Sequence, residues 1–441
     1  MEWKNLLEPR TAEGRATIGR TDFERDQDRV IFSSPFRRLD DKTQVLPIPE
    51  RYFVHNRMTH SIETACVGRS LGSIVGARVL AAADPDWSDA TTHELGDLVQ
   101  AACLAHDIGN PPFGHSGEDA ISAFFEGRPD LLEGLSEAER RDFTRFEGNA
   151  QGFRLISGAA QGLRLTKNTA AAFAKYPRES LVSRYLDPRD SGRRDQKKYG
   201  AFQGERACLE DCLSAFGARR LSAEGLAFAR YPFAHLVEAA DDICYLVIDL
   251  EDAVRLGIIR LAEVEAELEA VVRDDPESGG VHSPAPGPRS GEAERVSYFR
   301  ARAINSLIFQ CAAVFAGRKA EILDGRYASS LTAEIPSAGA LEAIGRITRE
   351  KLYRYRPVLE IEAAGFEIMG GLLELLTGAA FGLSGPRGRM IRELFPEIGL
   401  SEASPRYDRL RSVTDYVSGM TDSFAISEYR RLRGYELPRM Y

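Results

Sequence analysis

Residues 101–120 read AACLAHDIGNPPFGHSGEDA. An apolar, helix-like run ends on His106 and Asp107, the chain breaks at Gly109, Pro111 and Pro112, and a third polar group, His115, follows the break. Packing alone gives no reason to gather three groups that hold metals or move protons around one tight turn. Upstream, 93–105 continues a helical apolar pattern through Leu95, Leu98, Val99 and Cys103. The stretch 60–83 places Ile62, Ala65, Cys66, Leu71, Ile74 and Val75 near one face. Two more long helices are expected over 233–257 and 293–317, and β-like runs are few, the best being a small hairpin near 41–55. The pattern predicts an all-α protein, mainly helical.

The 441-residue chain is long enough for a large core, and its 43% hydrophobic and 28% charged residues are those of an ordinary globular protein. No apolar run approaches the roughly 20 residues of a membrane span, and the N-terminus MEWKNLLEPR lacks a signal-like apolar region, so a cytoplasmic protein without a membrane is expected. The six cysteines form no CxxC pair and sit in apolar helical contexts, which reads as small core residues in a reducing compartment. A net charge of −9 argues against a surface built to coat nucleic acid. Two arginine-rich patches, 189–198 and 429–434, are available for phosphates or are simply solvated faces. The segment 273–294, rich in Pro, Gly and Ser, is expected to be a flexible loop.

Five of the seven histidines (His55, His60, His93, His106 and His115) fall between residues 55 and 115, a reason to look for a metal. His60 stands at the start of its helix, and antiparallel packing of 60–83 on 93–107 would bring it beside His106 and Asp107. A further ligand is then wanted for a divalent ion. The helix 233–257 offers Asp241, Tyr245 and Asp249 along one stripe at i, i+4 and i+8. Acidic groups on an otherwise apolar helix are costly to bury without a cation or a donor. For Asp242 and Asp252, off that stripe, a solvent-facing position stays open.

The order His60, His106-Asp107, Asp241 resembles the HD superfamily of metal-dependent phosphohydrolases. RDQDRVIFSSPFRRLDDKTQV (25–45), NRMTHSIETACVGRS (56–70), HDIGNPPFGHSGE (106–118), FEGNAQGFR (146–154), LTKNTAAAFAKYP (165–177) and EAADDICYLVIDLEDA (238–253) look like the deoxyguanosine triphosphate triphosphohydrolases. IEAAG (361–365) and YVSGMTD (416–422) continue the likeness over nearly the whole chain. The resemblance implies one large helical HD-type domain over 1–441, with a catalytic core at about 55–257 and a C-terminal part, 295–441, that completes the pocket and the oligomer contacts. It implies release of whole triphosphate from a deoxynucleoside triphosphate (dNTP). It also implies a divalent metal (Mn, Mg, Fe, Co or Ni) held by His60, His106, Asp107 and Asp241.

His115 and Glu118 match the family's catalytic pair, and an imidazole oriented by a carboxylate suits general base or acid work. Arg57 matches a phosphate-binding arginine, Gln44 a reader of the sugar 3′-hydroxyl, and Tyr245 with Asp249 a sugar-pocket pair that rejects ribose. Lys198 is a further phosphate candidate, and Asn110 shapes the turn beside the site. A homo-oligomer, commonly a hexamer, and a dNTP or single-stranded DNA effector are likewise implied. After GMTD many relatives carry arginine and tyrosine where this chain has Ser423 and Phe424, so substrate use beyond dGTP is within the expectation. The competing readings are an HD phosphohydrolase for another phosphoester (a nucleoside monophosphate, a cyclic nucleotide or a nucleic-acid end) and a nucleotide- or nucleic-acid-binding regulator with a vestigial site. The first would lack the group Gln44, Tyr245 and Asp249, and the second would have lost a ligand or His115.

Overall fold

The helix pair that frames the HDIGNPP turn, α2 (Arg57–Val75) and α3 (Asp89–Ala105), packs antiparallel and unusually closely. Gly68, Gly72 and Gly76 recur at helical spacing. A Cβ on Gly68 would lie 2.5 Å from Cys103 Sγ, and one on Gly72 would lie 2.9 Å from Leu95 O. Small residues therefore set the contact, and the two backbones approach across a groove that larger side chains would fill. The buried face of α2 accordingly runs through His60, Ser61, Thr64, Ala65, Gly68, Leu71 and Val75, while Ile62 (44% exposed) and Cys66 point outward. The apolar stripe expected from Ile62 and Cys66 is wrong for that reason. Cys103, Cys212, Cys244 and Cys311 are buried, whereas Cys66 is exposed and Cys208 half-buried.

Described in this computed structural model are residues 1–8, 19–45, 55–82, 87–158, 162–275, 291–398 and 403–436. Preceding the pair is α1 (Asp22–Ile31), closed by a reciprocal Thr21–Glu24 cap. After the turn come α4 (Gly114–Glu126), α5 (Gly148–Ser157), α6 (Lys167–Phe173), the long α7 (Ala234–Arg255), α8 (Leu261–Arg273) and α9 (Glu292–Leu323). The C-terminal part carries α10 (Arg356–Ala380), α11 (Gly385–Leu394), α12 (Arg406–Ser418) and α13 (Asp422–Arg433). Short helical turns and three further α-helices, Glu137–Thr144, Arg206–Ser214 and Ala338–Ile347, connect these elements.

Among the described residues the only sheet is the two-stranded antiparallel pair β1 (Arg184–Tyr185) and β2 (Ser222–Glu224). Where a hairpin was expected near 41–55, a single antiparallel bridge joins Thr43 to Asn56, and residues 46–54 between them lie outside the described residues. The expected helix over 60–83 changes to a π-helical turn at Gly76–Leu80. Most of the expected loop, residues 276–290, also lies outside the described residues, between α8 and α9.

Among the described residues two large apolar cores form, beside a small cluster of Leu221, Ala227 and Ala229. The first joins α1, α2, α3, α6, α7, α8 and α9; the second joins α4 to α10, α11, α12 and α13. The HDIGNPPF turn lies on the seam, with Ile108 in the first core and Phe113 in the second. Helix α10 is long and apolar enough to cross a bilayer, yet most of its apolar stretch is buried under α4 and the C-terminal helices, as in a core helix.

Candidate active site at the helix turn

Local signals start α2 at a defined residue. The Asn56 side chain accepts from Thr59 N, and Thr59 Oγ1 accepts from Asn56 N, so both ends of a capping box are made. This places His60 in the first turn of α2, beside the end of α3, where His106 and Asp107 leave the helix. Past Asp107 the chain turns tightly because Gly109 faces α5 without a side chain: a Cβ there would lie 2.0 Å from Gly152 N and 2.2 Å from Gly148 O. From the opposite side, α7 supplies Asp241.

His60 Nε2 lies 3.1 Å from Asp241 Oδ1, and His106 Nε2 lies 3.5 Å from both Asp241 Oδ1 and Asp107 Oδ1. The donor atoms of His60, His106 and Asp241 all sit within 4.8 Å of one another. His106 Nδ1 is 2.7 Å from Cys103 O, which assigns the proton to Nδ1 and turns the Nε2 lone pair inward. That buried Nε2 has no hydrogen-bond partner. An orphaned imidazole nitrogen converging with two carboxylates and a second imidazole fits a divalent cation, and mixed N/O sites accept several such ions. Burial would raise the Asp107 carboxyl, but His106 and Arg57 outweigh it and hold it well below the usual carboxylate range. Asp241 is likewise held low against burial by Lys175 and His106.

Around the cluster opens a cavity of about 570 Å³ whose walls include Gln44, Arg57, Asn110, His115, Lys198 and Tyr245. His115 opens α4 with its side chain 81% exposed, and its Nδ1 lies 2.9 Å from the buried Glu118 Oε2. Gly148 N donates to Glu118 Oε1 at 2.6 Å, anchoring that carboxylate to α5. Glu118 is held below its ordinary value because His115 and Lys198 outweigh its burial. Arg57 Nη1 donates to Asp107 Oδ2 at 2.9 Å, and its buried Nε is unpartnered, as is Gln44 Oε1. Asn110 Nδ2 donates to Asp107 Oδ1, closing the turn on itself. Lys198 Nζ stands 3.3 Å from Glu147 and 3.9 Å from Glu118, and Glu147, half-buried, is pushed up to about 7 by desolvation and the neighbouring Glu118.

Of the five clustered histidines, three reach this site. His55 instead lies 2.8 Å from Asp252 through Nδ1 and 3.3 Å from Glu63, and His93 is exposed near the start of α3, at the end away from His106. His55 explains why Asp252 does not face solvent: the buried carboxylate also accepts from His55 N. Asp242, half-buried, lines the cavity and accepts from Thr332 Oγ1 at 2.7 Å. In the patch 189–198, Arg189, Arg193 and Arg194 are paired with Asp187, Asp195 and Glu238, and in 429–434 Arg431 and Arg433 pair with Glu428 and Glu374. Most of the basic charge in both patches is therefore neutralised within the protein.

Sequence reasoning gave no role to two cavity residues. Lys175, half-buried after α6, donates from Nζ to Asp241 Oδ2 at 2.7 Å; its signal was a lone lysine following the apolar run AAAFA. Tyr353 donates to Asp249 Oδ2 at 2.9 Å and stacks obliquely on Tyr245 at 6.1 Å. Nothing local in the sequence marked it.

Asp249 is buried and pushed up to about 8 by desolvation. An unfolded aspartate ionises near 4, so between these values the folded state binds the extra proton and stability falls as pH rises. Melting curves from pH 5 to 9 should show wild type losing on the order of a few kcal/mol relative to Asp249→Asn. A constant difference across that range would contradict the buried, protonated assignment.

Two family models match the chain: the HD domain over residues 57–183, which carries the helix pair and the turn, and the phosphohydrolase-associated domain over 335–431. A deoxyguanosinetriphosphate triphosphohydrolase-like protein of Synechocystis sp. is 37% identical over 99% of this chain and all of its own length. One from Pseudomonas aeruginosa is 38% identical, again over 99% of this chain and all of its own. A deoxyguanosinetriphosphate triphosphohydrolase of Yersinia enterocolitica is 29% identical over 97% of this chain and 96% of its own. With full-length similarity added to this site, the chain belongs to the deoxyguanosinetriphosphate triphosphohydrolase-like family of HD-domain hydrolases.

Proposed function

We propose that this protein hydrolyses deoxynucleoside triphosphates, dGTP and other dNTPs, to deoxynucleoside and inorganic triphosphate. The observation that carries the reading is the opening of one cavity onto a His/Asp cluster, the His115–Glu118 pair and the cations Arg57, Lys175 and Lys198 together. His60, His106, Asp107 and Asp241 hold a divalent ion, Mn, Mg, Fe, Co or Ni. When bound, that ion supplies Lewis-acid charge stabilisation at the α-phosphate and a water nucleophilic at neutral pH.

The protein's own groups do the rest. Arg57, with its planar fork anchored on Asp107, and the ammonium groups of Lys175 and Lys198 bind phosphate oxygens and compensate charge as the α-phosphorus is attacked. Glu118 holds His115 through Nδ1, so Nε2 faces the cavity and exchanges a proton with the attacking water or the departing 5′ oxygen. Gln44 takes the sugar 3′-hydroxyl, and the Tyr245 ring, supported by Tyr353 and Asp249, crowds C2′ against a ribose. The C-terminal part walls the pocket through Val358, Ile361 and Glu362. A cytoplasmic homo-oligomer, with a dNTP or single-stranded DNA effector, belongs to the same reading.

The test is a product assay on the purified protein with Mn or Mg. Each dNTP is supplied singly and in mixtures, GTP serves as control, and products are separated by ion exchange. Triphosphate plus deoxynucleoside, with GTP spared, is the expected outcome. Mono- or diphosphate products, or none in any mixture, would refute the assignment.

A further inference from the structure

The turn that delivers His115 is held from outside. Phe113 adopts φ +62 and Gly114 φ +59, and for phenylalanine this left-handed conformation is unfavourable on its own. As the residue preceding α4, Phe113 also makes no side-chain cap. Its support comes from residues more than 300 positions later in the chain. Asp422, 5% exposed in the first turn of α13, accepts from Phe113 N through Oδ1 at 3.0 Å and from Thr43 N through Oδ2 at 2.9 Å. Beside it the buried Lys42 Nζ donates to Asn110 O at 2.5 Å and Ser418 O at 3.0 Å. Gly365 of α10 admits the Phe113 ring: a Cβ there would lie 2.9 to 3.1 Å from it.

Both ends of the turn, Asn110 and Phe113, and the residue before Gln44 are thus tied to 418–422. We propose that Asp422 is a positioning residue: by bridging Thr43 N and Phe113 N, its carboxylate sets Gln44 and His115 at a fixed separation across the substrate. The inference rests on the dNTP hydrolysis proposed above, since it assigns Gln44 and His115 to opposite ends of one deoxynucleoside. A carboxylate is required because each of its two oxygens takes one N–H. An asparagine has one acceptor oxygen and must turn its NH₂ toward the other donor, so Asp422→Asn breaks the bridge while nearly keeping the shape.

The full-length, metal-loaded protein is compared as wild type, Asp422→Asn and Lys42→Met. Three readouts are taken: bound metal, kinetics on dGTP and 2′,3′-dideoxy-GTP, and amide hydrogen exchange resolved to the peptides holding Thr43 and Phe113. For Asp422→Asn the expected result is unchanged metal and a kcat lower by about 10²-fold. Preference for dGTP over the dideoxy analogue should shrink toward parity, and exchange should quicken in those two peptides but not in α3 or α7. Lys42→Met should lower kcat and loosen the Asn110 peptide while preserving the 3′-hydroxyl preference. This second variant keeps the test decisive if Asp422→Asn does not fold. Unaltered exchange and kinetics in Asp422→Asn would overturn the proposal, as would slowing with loss of metal and uniformly faster exchange, the mark of general destabilisation. A wild type that releases no triphosphate would refute the dNTP reading, and the exchange pattern would still report on the bridge.

Discussion

His106→Ala and Asp107→Ala are each expected to release the divalent ion and, with it, turnover. The His106 ring is buried and its Nδ1 is committed to Cys103 O, so Nε2 has no role inside the protein except toward a cation. Removing it takes away one of the ligand atoms that converge beside Asp107 and Asp241. Ligand removal should exceed the roughly 10- to 100-fold loss of affinity typical of changes to groups that only orient a ligand. Asp107→Ala also frees Arg57 Nη1, which now donates to that carboxylate, so phosphate binding should suffer in addition. Metal content after dialysis, by elemental analysis, and triphosphate release by ion exchange are the two measurements. Full activity in a metal-free double variant would end the metal assignment.

A second large effect separates chemistry from metal binding. His115→Ala should keep the ion and the fold yet lower kcat by about 10²- to 10⁴-fold, the range of general acid–base catalysis. Its side chain is 81% exposed and its Nδ1 meets only Glu118, so substitution opens no core cavity and should change stability within about 0.5 kcal/mol. Metal content and Tm equal to wild type beside a collapsed kcat would assign His115 to the reacting atoms. Glu118→Gln tests the same pair differently. It is buried and accepts from Gly148 N as well, so it should cost stability together with rate. Loss of metal in His115→Ala would place that residue among the ligands instead.

Much of this site was legible in the sequence because its signals are local. The helix ending at His106 and Asp107 and the Gly-Pro turn after them are each decided within a few residues. Asp241, Tyr245 and Asp249 could be set on one stripe by helical periodicity alone. Periodicity misled at Ile62 and Cys66, because it reports how apolar a side chain is and not how closely a neighbour approaches. Here the glycines of α2 admitted α3 so closely that small residues took the interior.

By itself, then, the sequence determined the helical class, the order of the metal-type residues and the existence of a turn that ends α3 on His106 and Asp107. Tertiary structure decided what meets that turn: Lys175 on Asp241, Tyr353 on Asp249, His55 on Asp252, and Asp422 with Lys42 on the backbone of the turn itself. The reason is physical. Caps, turns and amphipathic faces arise from interactions between near neighbours in the chain. A buried carboxylate or ammonium is satisfied by whichever donor or acceptor packing brings within about 3 Å, and that partner can lie anywhere in the sequence.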